Sequence, residues 1–514
     1  MKNRRKILTV AVIAGYFLLM WLLVAVESAA PTEAGASITT LGQAIWYSIV
    51  TITTVGYGDA SPVTGVGKLI GALFLLMSAG ALTALISFGV SWLTGSGLPR
   101  FRIRRARARS VYIFSHTDGA AMALSENILK ETPDALCLYC ERDGISSSDR
   151  SRIGVNMTPA ELLCQLPKGN RPTLIFTGAD AEEQFSRTGI PENADVICQT
   201  AHVPETLQPQ LRFFDRNALC ASMYWQRYPL AKGEKKVLFI GFGELGRELL
   251  EQALLVNVLS PARVNEYHVF GNASEFLLDH PQLGASVSIG STSSDRDSLI
   301  IHEKEWNADE ALLLSADRIL FCADDESENT ALFRRMKTWF PVSARVHVYC
   351  RSTLSGDLPA FGTDSEVYTT EAVLRRGLER LAMQLNENYR SANSGAPKWE
   401  ELSSFLRRSN MASADHLRTK LRFLLDDDSL TEFTGEQLRQ AYERFLTLRE
   451  QQPELCRRIE HDRWVRFHAM YNWRYAAVRD NAMRLHPLMV SFEELSLADQ
   501  AKDDYAWELI SSLI

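Results

Sequence analysis

Two long apolar runs dominate the first hundred residues. Residues 7–26 form an apolar stretch that contains Thr9, and within residues 68–93 the polar positions after the first are Ser and Thr only. A helix needs about 20 apolar residues to cross a bilayer, and it tolerates Ser and Thr there. The first run is too long for a secretory signal peptide and lacks a clear cleavage site of small residues. We therefore expect two membrane-spanning helices.

Basic residues flank the two runs on the sides away from their connection. Lys2, Arg4, Arg5 and Lys6 precede the first run, and Arg100, Arg102, Arg104, Arg105, Arg107 and Arg109 follow the second. Residues 27–67 contain no Lys or Arg. Because basic residues favour the cytoplasmic side, we expect both termini in the cytoplasm. The net charge of −7 and the arginines next to a span favour contact with the lipid bilayer over binding of nucleic acid.

The connection between the two runs carries the candidate chemistry. Residues 39–53 are apolar but too short to span, which predicts a re-entrant helix. The residues that follow are Thr54, Val55, Gly56, Tyr57 and Gly58. Irregular backbone at membrane depth must be buried in protein or line water. Its successive carbonyls can replace the hydration shell of a cation, and the glycines permit the angles required. One chain supplies a quarter of such a ring, so we expect a homotetramer.

The sequence TVGYGD, which ends at Asp59, resembles the selectivity filter of potassium channels. The resemblance implies a potassium-selective channel of a prokaryotic inner membrane rather than an enzyme, with K⁺ as the permeant ion. In that family, aromatic residues at the positions of Trp46 and Tyr47 support the filter, and the indole at the first position bonds to the carboxylate at Asp59. Val50 stands where some members have a glutamate.

The second run contains a polar stripe that is typical of a pore lining. Thr83, Ser87 and Ser91 recur every four residues and share one face of a helix. Polar groups in a span usually face a water cavity, although Ser and Thr also bond to their own backbone carbonyls. Gly80 is the candidate gating hinge, while counting from the filter places the usual hinge position at Ser78. Without an Arg-rich span, we expect no voltage sensor.

Pattern and composition divide the chain into five segments. They are a pore domain at residues 1–94, a basic linker at 95–110, two α/β Rossmann-like domains at 111–230 and 231–390, and a small, mainly helical domain at 391–514. Strand-length apolar runs alternate with helical stretches in the two α/β domains, which predicts mostly parallel sheets. All eight cysteines follow the second run and are expected as reduced thiols in the cytosol.

Two clusters in the α/β domains have the composition of metal ligands. Cys137 and Cys140 form a CxxC, but they lie in a strand-like run, where residues three apart point to opposite faces. The acidic cluster consists of Asp324, Asp325, Glu326 and Glu328. It could bind a divalent ion, but the favoured interpretation is the preference for acids in the first turn of a helix. We therefore expect no metal beyond permeant K⁺.

The first α/β domain has a degenerate nucleotide-binding pattern. Its predicted strands cover residues 111–115, 135–141, 173–178 and 195–200. The turn after the first strand contains one glycine, Gly119, where a dinucleotide loop has three. Glu141 ends the second strand, at the position of a ribose-binding acid, and is a candidate nucleotide contact. We favour a structural role for this domain.

The second α/β domain contains a complete glycine motif. Gly241, Gly243 and Gly246 form GxGxxG between a strand and a helix, which is the context of a phosphate-binding turn. Further strands are predicted at residues 266–271, 285–290, 318–324 and 345–350. The second strand ends at Gly271 and Asn272, without an acid for a ribose. This argues against NAD and leaves a mononucleotide or another phosphate open.

Two Rossmann-like units behind a two-span pore resemble the RCK (TrkA-N) regulatory domains of prokaryotic potassium channels. The resemblance implies a cytoplasmic ring of eight such domains, in which a small-molecule ligand changes the diameter and pulls the inner helices. A helix at residues 371–389 would flank this ring. Two alternatives stay open: a membrane-tethered NAD(H)-dependent sensor or enzyme, and a regulatory subunit of a potassium transporter.

Residues 460–504 resemble the repeat named for ryanodine receptors, the RyR domain. The resemblance is carried by His461, Trp464, Trp473, Tyr475, Arg479, Asp480, His486, Pro487, Leu488, Phe492 and Leu495. From the pattern alone, the two tryptophans are core aromatics, and the loop after them is a candidate site of ligand contacts. The resemblance implies a nucleotide ligand, such as an ADP-ribose derivative. Its candidate contacts are Trp464, Trp473, Tyr475, Arg479, Asp480 and His486.

Overall fold

The computed structural model divides the chain into two compact units, Met1–Arg105 and Ala106–Ile514. It describes residues 2–31, 33, 35–94, 101, 103–104, 110–146, 149–167, 169–189, 191–201, 210–259, 263–352, 357–393 and 395–514. Within these ranges, the side chains of residues 2–14, 77–82, 84–85, 88–89 and 91–94 are not described. Of the predicted linker at residues 95–110, only residues 101, 103, 104 and 110 are described.

The first unit is helical. Helix α1 covers Lys2–Ser28, α2 covers Leu41–Ile52 and α3 covers Gly65–Thr94. Helices therefore form over both apolar runs and over the short segment between them. Thr40 caps α2 and forms a capping box with Gln43, which explains where this helix begins. Judged on the described residues alone, no helix is both long and apolar enough to cross a membrane, and the two spans stay predictions.

A buried carboxylate joins the end of α1 to the start of α3. Glu27 is 1 % exposed and accepts hydrogen bonds from the backbone N–H groups of Val63 at 3.0 Å and Thr64 at 3.1 Å. A Cβ on Gly67 would lie 1.9 Å from this carboxylate, so glycine is required there. The apolar core of the unit consists of Met20, Leu23, Ile38, Ala44, Ile70 and Phe74. The three helices thus pack around one small core.

The first sheet of the second unit has six parallel strands. They are β1 (Val111–Phe114), β2 (Leu136–Tyr139), β3 (Arg152–Gly154), β4 (Thr173–Phe176), β5 (Asp195–Gln199) and β6 (Leu211–Phe214). The order β3-β2-β1-β4-β5-β6 is that of a dinucleotide-binding fold. The helices are α4 (Gly119–Glu131), α5 (Pro159–Gln165), α6 (Ala181–Thr188) and α7 (Arg216–Arg227). The four predicted strands are present. Strands β3 and β6 escape prediction because neither has a long apolar run.

The second sheet is also parallel. Its strands are β7 (Lys236–Ile240), β8 (Glu266–Phe270), β9 (Ser288–Ile289), β10 (Ser298–His302), β11 (Arg318–Phe321), β12 (Arg345–Tyr349) and β13 (Ala360–Phe361). Their order is β13-β12-β11-β7-β8-β10-β9. The helices are α8 (Glu244–Val256), α9 (Ser274–Asp279), α10 (Glu310–Leu314) and α11 (Glu326–Trp339). The strand predicted at residues 285–290 shrinks to β9 because Leu283–Ala285 forms a 3₁₀ turn. Parallel Rossmann-like sheets are confirmed.

The helix predicted at residues 371–389 is interrupted. The elements here are α12 (Asp364–Val367), a π-helix (Thr370–Leu374) and α13 (Gly377–Ala392). Arg376 has a φ of 54°, in the left-handed region that ends a helix. A Cβ on Gly377 would lie 2.8 Å from the Glu371 side chain. The chain therefore turns sharply before α13, which a helical pattern in the sequence does not reveal.

The C-terminal segment is mainly helical, as predicted. Its elements are α14 (Ser404–Leu425), α15 (Gly435–Gln451), α16 (Pro453–Met470), β14 (Arg474–Tyr475), β15 (Leu485–His486), α17 (Leu497–Gln500) and α18 (Tyr505–Glu508). Ala412 and Phe467 belong to the same apolar core as the sheets. Arg466 donates to the backbone carbonyl of Leu254 on α8 and to the Asp297 carboxylate before β10. The helical segment is therefore built onto the second sheet by a shared core and by buried polar contacts.

Candidate functional site

The backbone after α2 alternates in handedness. The φ angle is 58° at Thr54, 61° at Gly56 and 75° at Gly58, whereas Val55 and Tyr57 keep negative φ. In a regular strand, successive carbonyls point to opposite sides. Alternation between left- and right-handed residues instead turns them toward one side. Glycine adopts positive φ without a steric penalty, which explains two of the three left-handed positions.

This segment donates backbone hydrogen bonds near its start. The N–H groups of Val55 and Gly56 both donate to the carbonyl of Val50, at 3.1 and 3.4 Å. No described residue donates a hydrogen bond to the carbonyls of residues 54–57. The segment is exposed in the single chain, and Tyr57 is 68 % exposed. Unpaired carbonyls turned to one side can take the place of water around a cation.

The rings of Trp46 and Tyr47 have different neighbours. The indole N–H of Trp46 donates to the Asp59 carboxylate at 2.8 Å. Its ring lies parallel to that of Tyr57, with the ring centroids 6.1 Å apart. The ring of Tyr47 instead lies edge-on to Phe74 of α3. Neighbouring residues on a helix point about 100° apart, so one aromatic faces the segment and the other faces the core.

The predicted pore lining is described only in part. Thr83 and Ser87 are exposed on α3, and their spacing of four residues places them on one face. Gly80 and Ser91 lie on the same helix, but their side-chain surroundings are outside the described residues. The pore-lining stripe and the hinge therefore stay predictions.

The glycine motif forms a tight turn between β7 and α8. Gly241 has a φ of 73°, and a Cβ on it would lie 2.7 Å from the Ala323 side chain. A Cβ on Gly246 would lie 3.0 Å from the sulfur of Cys322, where α8 packs on the sheet. Strands β7 and β11 are neighbours, so the turn lies at the point where the strand order reverses. This is the place where open parallel sheets bind ligands.

The protein's own carboxylate occupies this turn. Asp324 accepts a hydrogen bond from the backbone N–H of Glu244, the first residue of α8, at 2.8 Å. A Cβ on Gly243 would lie 2.2 Å from the same carboxylate. The N-terminus of a helix at such a turn is where a bound phosphate would lie. The glycine turn thus has the shape of a phosphate site, but a negative charge of the protein already fills it.

The other acids of the cluster after β11 have separate structural partners. Asp325 caps α11 by accepting from the N–H of Ser327. Glu326 accepts from the N–H groups of Arg351 and Ser352 at 2.8 and 3.0 Å. Although burial opposes it, these and other hydrogen bonds lower the pKa of Glu326 to about 2. No group of three potential metal ligands converges within the described part of the chain.

The first sheet has a similar carboxylate at its reversal point, between β1 and β4. Asp118 caps α4 by accepting from the N–H of Ala121 at 2.7 Å, and it also accepts from the Thr177 hydroxyl at 3.1 Å. The candidate nucleotide contact Glu141 lies against His116, with 2.7 Å between carboxylate and ring nitrogen. Both positions expected of a nucleotide site are therefore engaged in protein contacts.

Two residues predicted from the RyR resemblance lie in an aromatic core. The ring centroids of Trp464 and His468 are 3.8 Å apart, and those of Trp464 and His486 are 4.9 Å apart. Burial, followed by the charge of Arg479, lowers the pKa of His486 to about 4. The ring of His486 is therefore neutral at pH 7, as expected of an imidazole packed among aromatics.

The remaining predicted residues lie on or near the excursion between β14 and β15. Tyr475 is 58 % exposed. Asp480 accepts from the N–H groups of Ala482 and Met483 at 3.0 and 3.1 Å and so closes a turn. Arg479, together with Trp473, lines a cleft beside this excursion. Five of the six residues are thus divided among a core, a turn and a cleft, and Tyr475 is exposed on β14.

This cleft, called the arginine cleft below, has a volume of about 560 Å³. Its charged residues are Arg408, Arg479 and Arg484, and its aromatic residues are Phe405, Tyr471 and Trp473. No carboxylate lines it in the described part of the chain. The rings of Phe405 and Trp473 stack at an angle of 30°, with centroids 5.4 Å apart. The arginine cleft therefore combines three positive charges with an aromatic wall.

Neutral groups hold the three guanidinium groups of the arginine cleft. Arg408 donates to the Tyr471 hydroxyl at 3.2 Å. Arg479 donates to the Asn481 side chain at 2.8 Å. Arg484 donates to the backbone carbonyl of Tyr471 at 3.0 Å. Because these partners carry no charge, an anion with several oxygen atoms can accept charge-assisted hydrogen bonds from the guanidinium groups.

Comparisons with known proteins bear on the first unit. Residues 7–95 match the family model described as an ion channel. Over 54 residues the chain is 46 % identical to a voltage-gated potassium channel of Aeropyrum pernix, which is 10 % of this chain and 18 % of the relative. Over 80 residues it is 40 % identical to the human potassium voltage-gated channel subfamily A member 7, 16 % of each chain. The chain is homologous to potassium channels over these stretches and spans less than a fifth of each relative.

Two solved structures are similar to the chain over most of its length. The GsuK channel has a TM-score of 0.38 and 11 % identity, covering 73 % of this chain and 84 % of its own. The GsuK channel bound to NAD has a TM-score of 0.36 and 11 % identity, with the same coverage of 73 % and 84 %. This similarity concerns the fold alone.

Proposed function

We propose that the chain is one subunit of a homotetrameric potassium channel of a prokaryotic inner membrane, gated by an anionic ligand on its cytoplasmic part. The observation that carries the proposal is the alternating backbone of residues 54–58, in which the carbonyls of residues 54–57 accept no hydrogen bond from the described residues. It lies within residues 7–95, which match the ion channel family. Four copies around one axis would form rings of oxygen atoms that replace the hydration shell of K⁺.

The arginine cleft is the ligand site that we favour. Its three guanidinium groups suit a phosphate-bearing molecule, and the stacked rings of Phe405 and Trp473 suit a flat base. These two features together favour a nucleotide-type ligand, in keeping with the RyR resemblance. The glycine turn is less suited, because Asp324 would repel a phosphate there. The same carboxylate argues against a tethered NAD(H) sensor.

A path of hydrogen bonds leads from the arginine cleft to the second sheet. Arg408 donates to the Tyr471 hydroxyl, which donates to Glu251 of α8 at 2.9 Å. A ligand that draws Arg408 toward itself would weaken the hydrogen bond between Arg408 and Tyr471. Tyr471 would then be released from Arg408. Such a ligand changes the channel only if it binds the open and closed states with different affinity. In an RCK-like ring, the displacement of α8 would be passed to the inner helices.

Potassium efflux from proteoliposomes tests the filter. Gly56→Val places a branched side chain at a φ of 61°, and we expect loss of K⁺ flux with the tetramer intact by native mass spectrometry. Gly65→Ala is the matched control, because a Cβ there meets nothing within 4 Å and φ is not positive. The control should keep its flux. Potassium-selective flux in the Gly56→Val channel would contradict the assignment of residues 54–58 as the selectivity filter.

The same liposomes test the ligand. We would add NAD, NADH, AMP, ADP, ATP, ADP-ribose and its cyclic forms, cyclic dinucleotides and calcium, with sodium efflux run in parallel. We expect one of the nucleotides to change the K⁺ flux and calcium to leave it unchanged. Selective flux that ignores every nucleotide would keep the channel and remove the proposed class of ligand.

A further inference from the structure

An acidic pair on α8 lines a second cavity of the second unit, beside the arginine cleft. This cavity has a volume of about 220 Å³ and lies where α7, α8 and α14 meet. Glu248 and Glu251 both line it and lie one turn apart on α8, so they share one face of the helix. The Tyr471 hydroxyl donates to Glu251 at 2.9 Å, but no described residue donates a hydrogen bond to the Glu248 side chain. Two carboxylates this close repel each other when both are ionised, which favours a proton on the one without a donor.

Charged groups from the neighbouring elements surround this acidic pair. Burial raises the pKa of Glu248 to about 8, and the charges of Glu251 and of Asp215, which caps α7, act in the same direction. The charge of Arg408, on α14, opposes this shift. The ring of His280, which follows α9, lies 4.0 Å from the Glu251 carboxylate. The other charged residues that line the cavity are Arg212, Arg376, Glu379, Arg407 and Asp415. Glu248 therefore loses its proton as the pH rises through about 8.

Arg408 belongs to both openings, because it lines the cavity and the arginine cleft. It donates to the Tyr471 hydroxyl at 3.2 Å, and Tyr471 lines both openings as well. The contact with Tyr471, followed by the charges of Glu251 and Glu248, raises the pKa of Arg408. One guanidinium group thus contributes to a cleft that suits anions and also interacts with an acidic pair that can gain or lose a proton.

We propose that protonation of the acidic pair Glu248 and Glu251 controls, through Arg408, the affinity of the arginine cleft for its anionic ligand. This inference rests on the proposed function of the cleft as the ligand site. While the pair holds a proton, it carries one negative charge, and Arg408 can turn to the ligand. When the proton leaves, a second carboxylate attracts Arg408, and an anion in the cleft has to compete with it. The affinity for an anion therefore falls as the pH rises through the pKa of Glu248.

Calorimetric titration of the full-length protein in detergent with AMP and ADP tests this inference. The phosphate groups of both nucleotides are ionised above about pH 7.5, so the charge of the probes stays constant there. A ligand that raises the pKa of Glu248 by one unit should bind about fivefold more weakly at about pH 9.5 than at about pH 7.5. Binding without this loss would refute the inference and leave the cleft as the ligand site. No binding of either nucleotide at any pH would refute the cleft as a nucleotide site, and this inference with it.

Two variants assign the pH dependence to these side chains. Glu248→Gln keeps the shape of the protonated acid but cannot titrate, so its affinity at high pH should equal that of the parent at low pH. Arg408→Ala should bind nucleotides more weakly at every pH and should also lose the pH dependence, because the group that responds to the acidic pair is gone. Glu443→Gln, on the exposed side of α15, is the control and should keep the behaviour of the parent. A pH dependence that survives in either of the first two variants would contradict the inference, and thermal unfolding checks that each variant is folded.

Proton uptake by the parent protein gives a readout that needs no variant. With its pKa at about 8, Glu248 is protonated in about half of the molecules at that pH. A nucleotide that draws Arg408 away from the acidic pair favours the protonated form, so binding should take up a fraction of one proton. The uptake is measured by repeating the titration in buffers of different ionisation enthalpy. Nucleotide binding without proton uptake, or with proton release, would overturn the role of the pair.

Discussion

The glycine turn after β7 and the arginine cleft beside α14 are two openings in the same unit with opposite electrostatics. In the turn, the backbone N–H of Glu244 already donates to a carboxylate, that of Asp324. In the cleft, Arg408, Arg479 and Arg484 donate hydrogen bonds to neutral groups in the described part of the chain. A phosphate would meet repulsion in the first place and three donors in the second.

The difference shows that a loop can have the geometry of a phosphate site without being available to a phosphate. Glycines at the turn let the backbone come close to an anion, whether that anion is a ligand or a side chain of the protein. Here the anion is the side chain of Asp324, in the loop after the neighbouring strand β11. It stabilises the start of α8 as a capping carboxylate does. The cleft lacks a phosphate-binding motif, yet its charges are free of ion pairs among the described residues. An incoming anion can accept hydrogen bonds from the arginines of the cleft. At the turn it would first have to displace the Asp324 carboxylate.

Removal of two guanidinium groups should have the largest effect. We expect Arg479→Ala combined with Arg484→Ala to weaken binding of the most effective nucleotide of the liposome panel by about 100-fold or more, because two charge-assisted contacts are lost. Calorimetric titration and the dose dependence of K⁺ flux measure it. Arg474→Ala, an exposed arginine outside the cleft, is the control and should change neither. Unchanged affinity in the double variant would move the ligand site away from the cleft.

Removal of one aromatic ring should have a smaller and more selective effect. Phe405→Leu keeps an apolar side chain but loses the ring that stacks on Trp473. We expect about tenfold weaker binding of nucleotides, the effect of one lost stacking contact, and unchanged binding of inorganic pyrophosphate. Trp339→Leu removes an exposed aromatic at the end of α11, which does not line the cleft, and serves as the control. Equal losses for nucleotide and pyrophosphate would show that the ring supports the fold and does not contact a base.

Patterns of local periodicity account for much of the fold that could be predicted. Apolar runs predict β1, β2, β4 and β5 because each strand is buried over several consecutive residues. The context of GxGxxG likewise predicts the turn before α8. Strands such as β3, β10 and β13 are found only in the structure, because they are short or partly polar. The break at Arg376 depends on a left-handed residue that is not glycine, which no sequence rule anticipates.

The candidate ligand site could be predicted only where its residues are close in sequence. Trp473 and Arg479 lie in one loop, and a resemblance in that loop identifies them. Phe405 and Arg408 come from α14, far earlier in the chain, and only tertiary packing brings them to the same cleft. The carboxylate in the glycine turn could not be predicted for the same reason, because tertiary packing brings it there. The sequence pattern treats Asp324 as an acid before a helix, whereas the parallel pairing of β7 with β11 carries it across to α8.

Removal of the carboxylate from the glycine turn should have the smallest effect in size. It should also change the number of pyrophosphate sites. Asp324→Ala removes a capping carboxylate, and we expect a loss of about 1 kcal/mol in the free energy of unfolding. It also leaves the N–H of Glu244 free, so inorganic pyrophosphate should bind at two sites per chain where the parent binds it only in the arginine cleft.

Asp325→Ala separates these two consequences. Asp325 caps α11 through the N–H of Ser327, so its loss should destabilise the protein by a similar amount without opening the turn. The stoichiometry for pyrophosphate, measured by calorimetry, should therefore stay at one in this variant and rise to two in Asp324→Ala. Two sites in the parent would mean that the carboxylate does not keep anions out. One site in Asp324→Ala would mean that the turn has the shape of a phosphate site without the affinity, and the contrast between the two openings would then lie in backbone geometry as much as in charge.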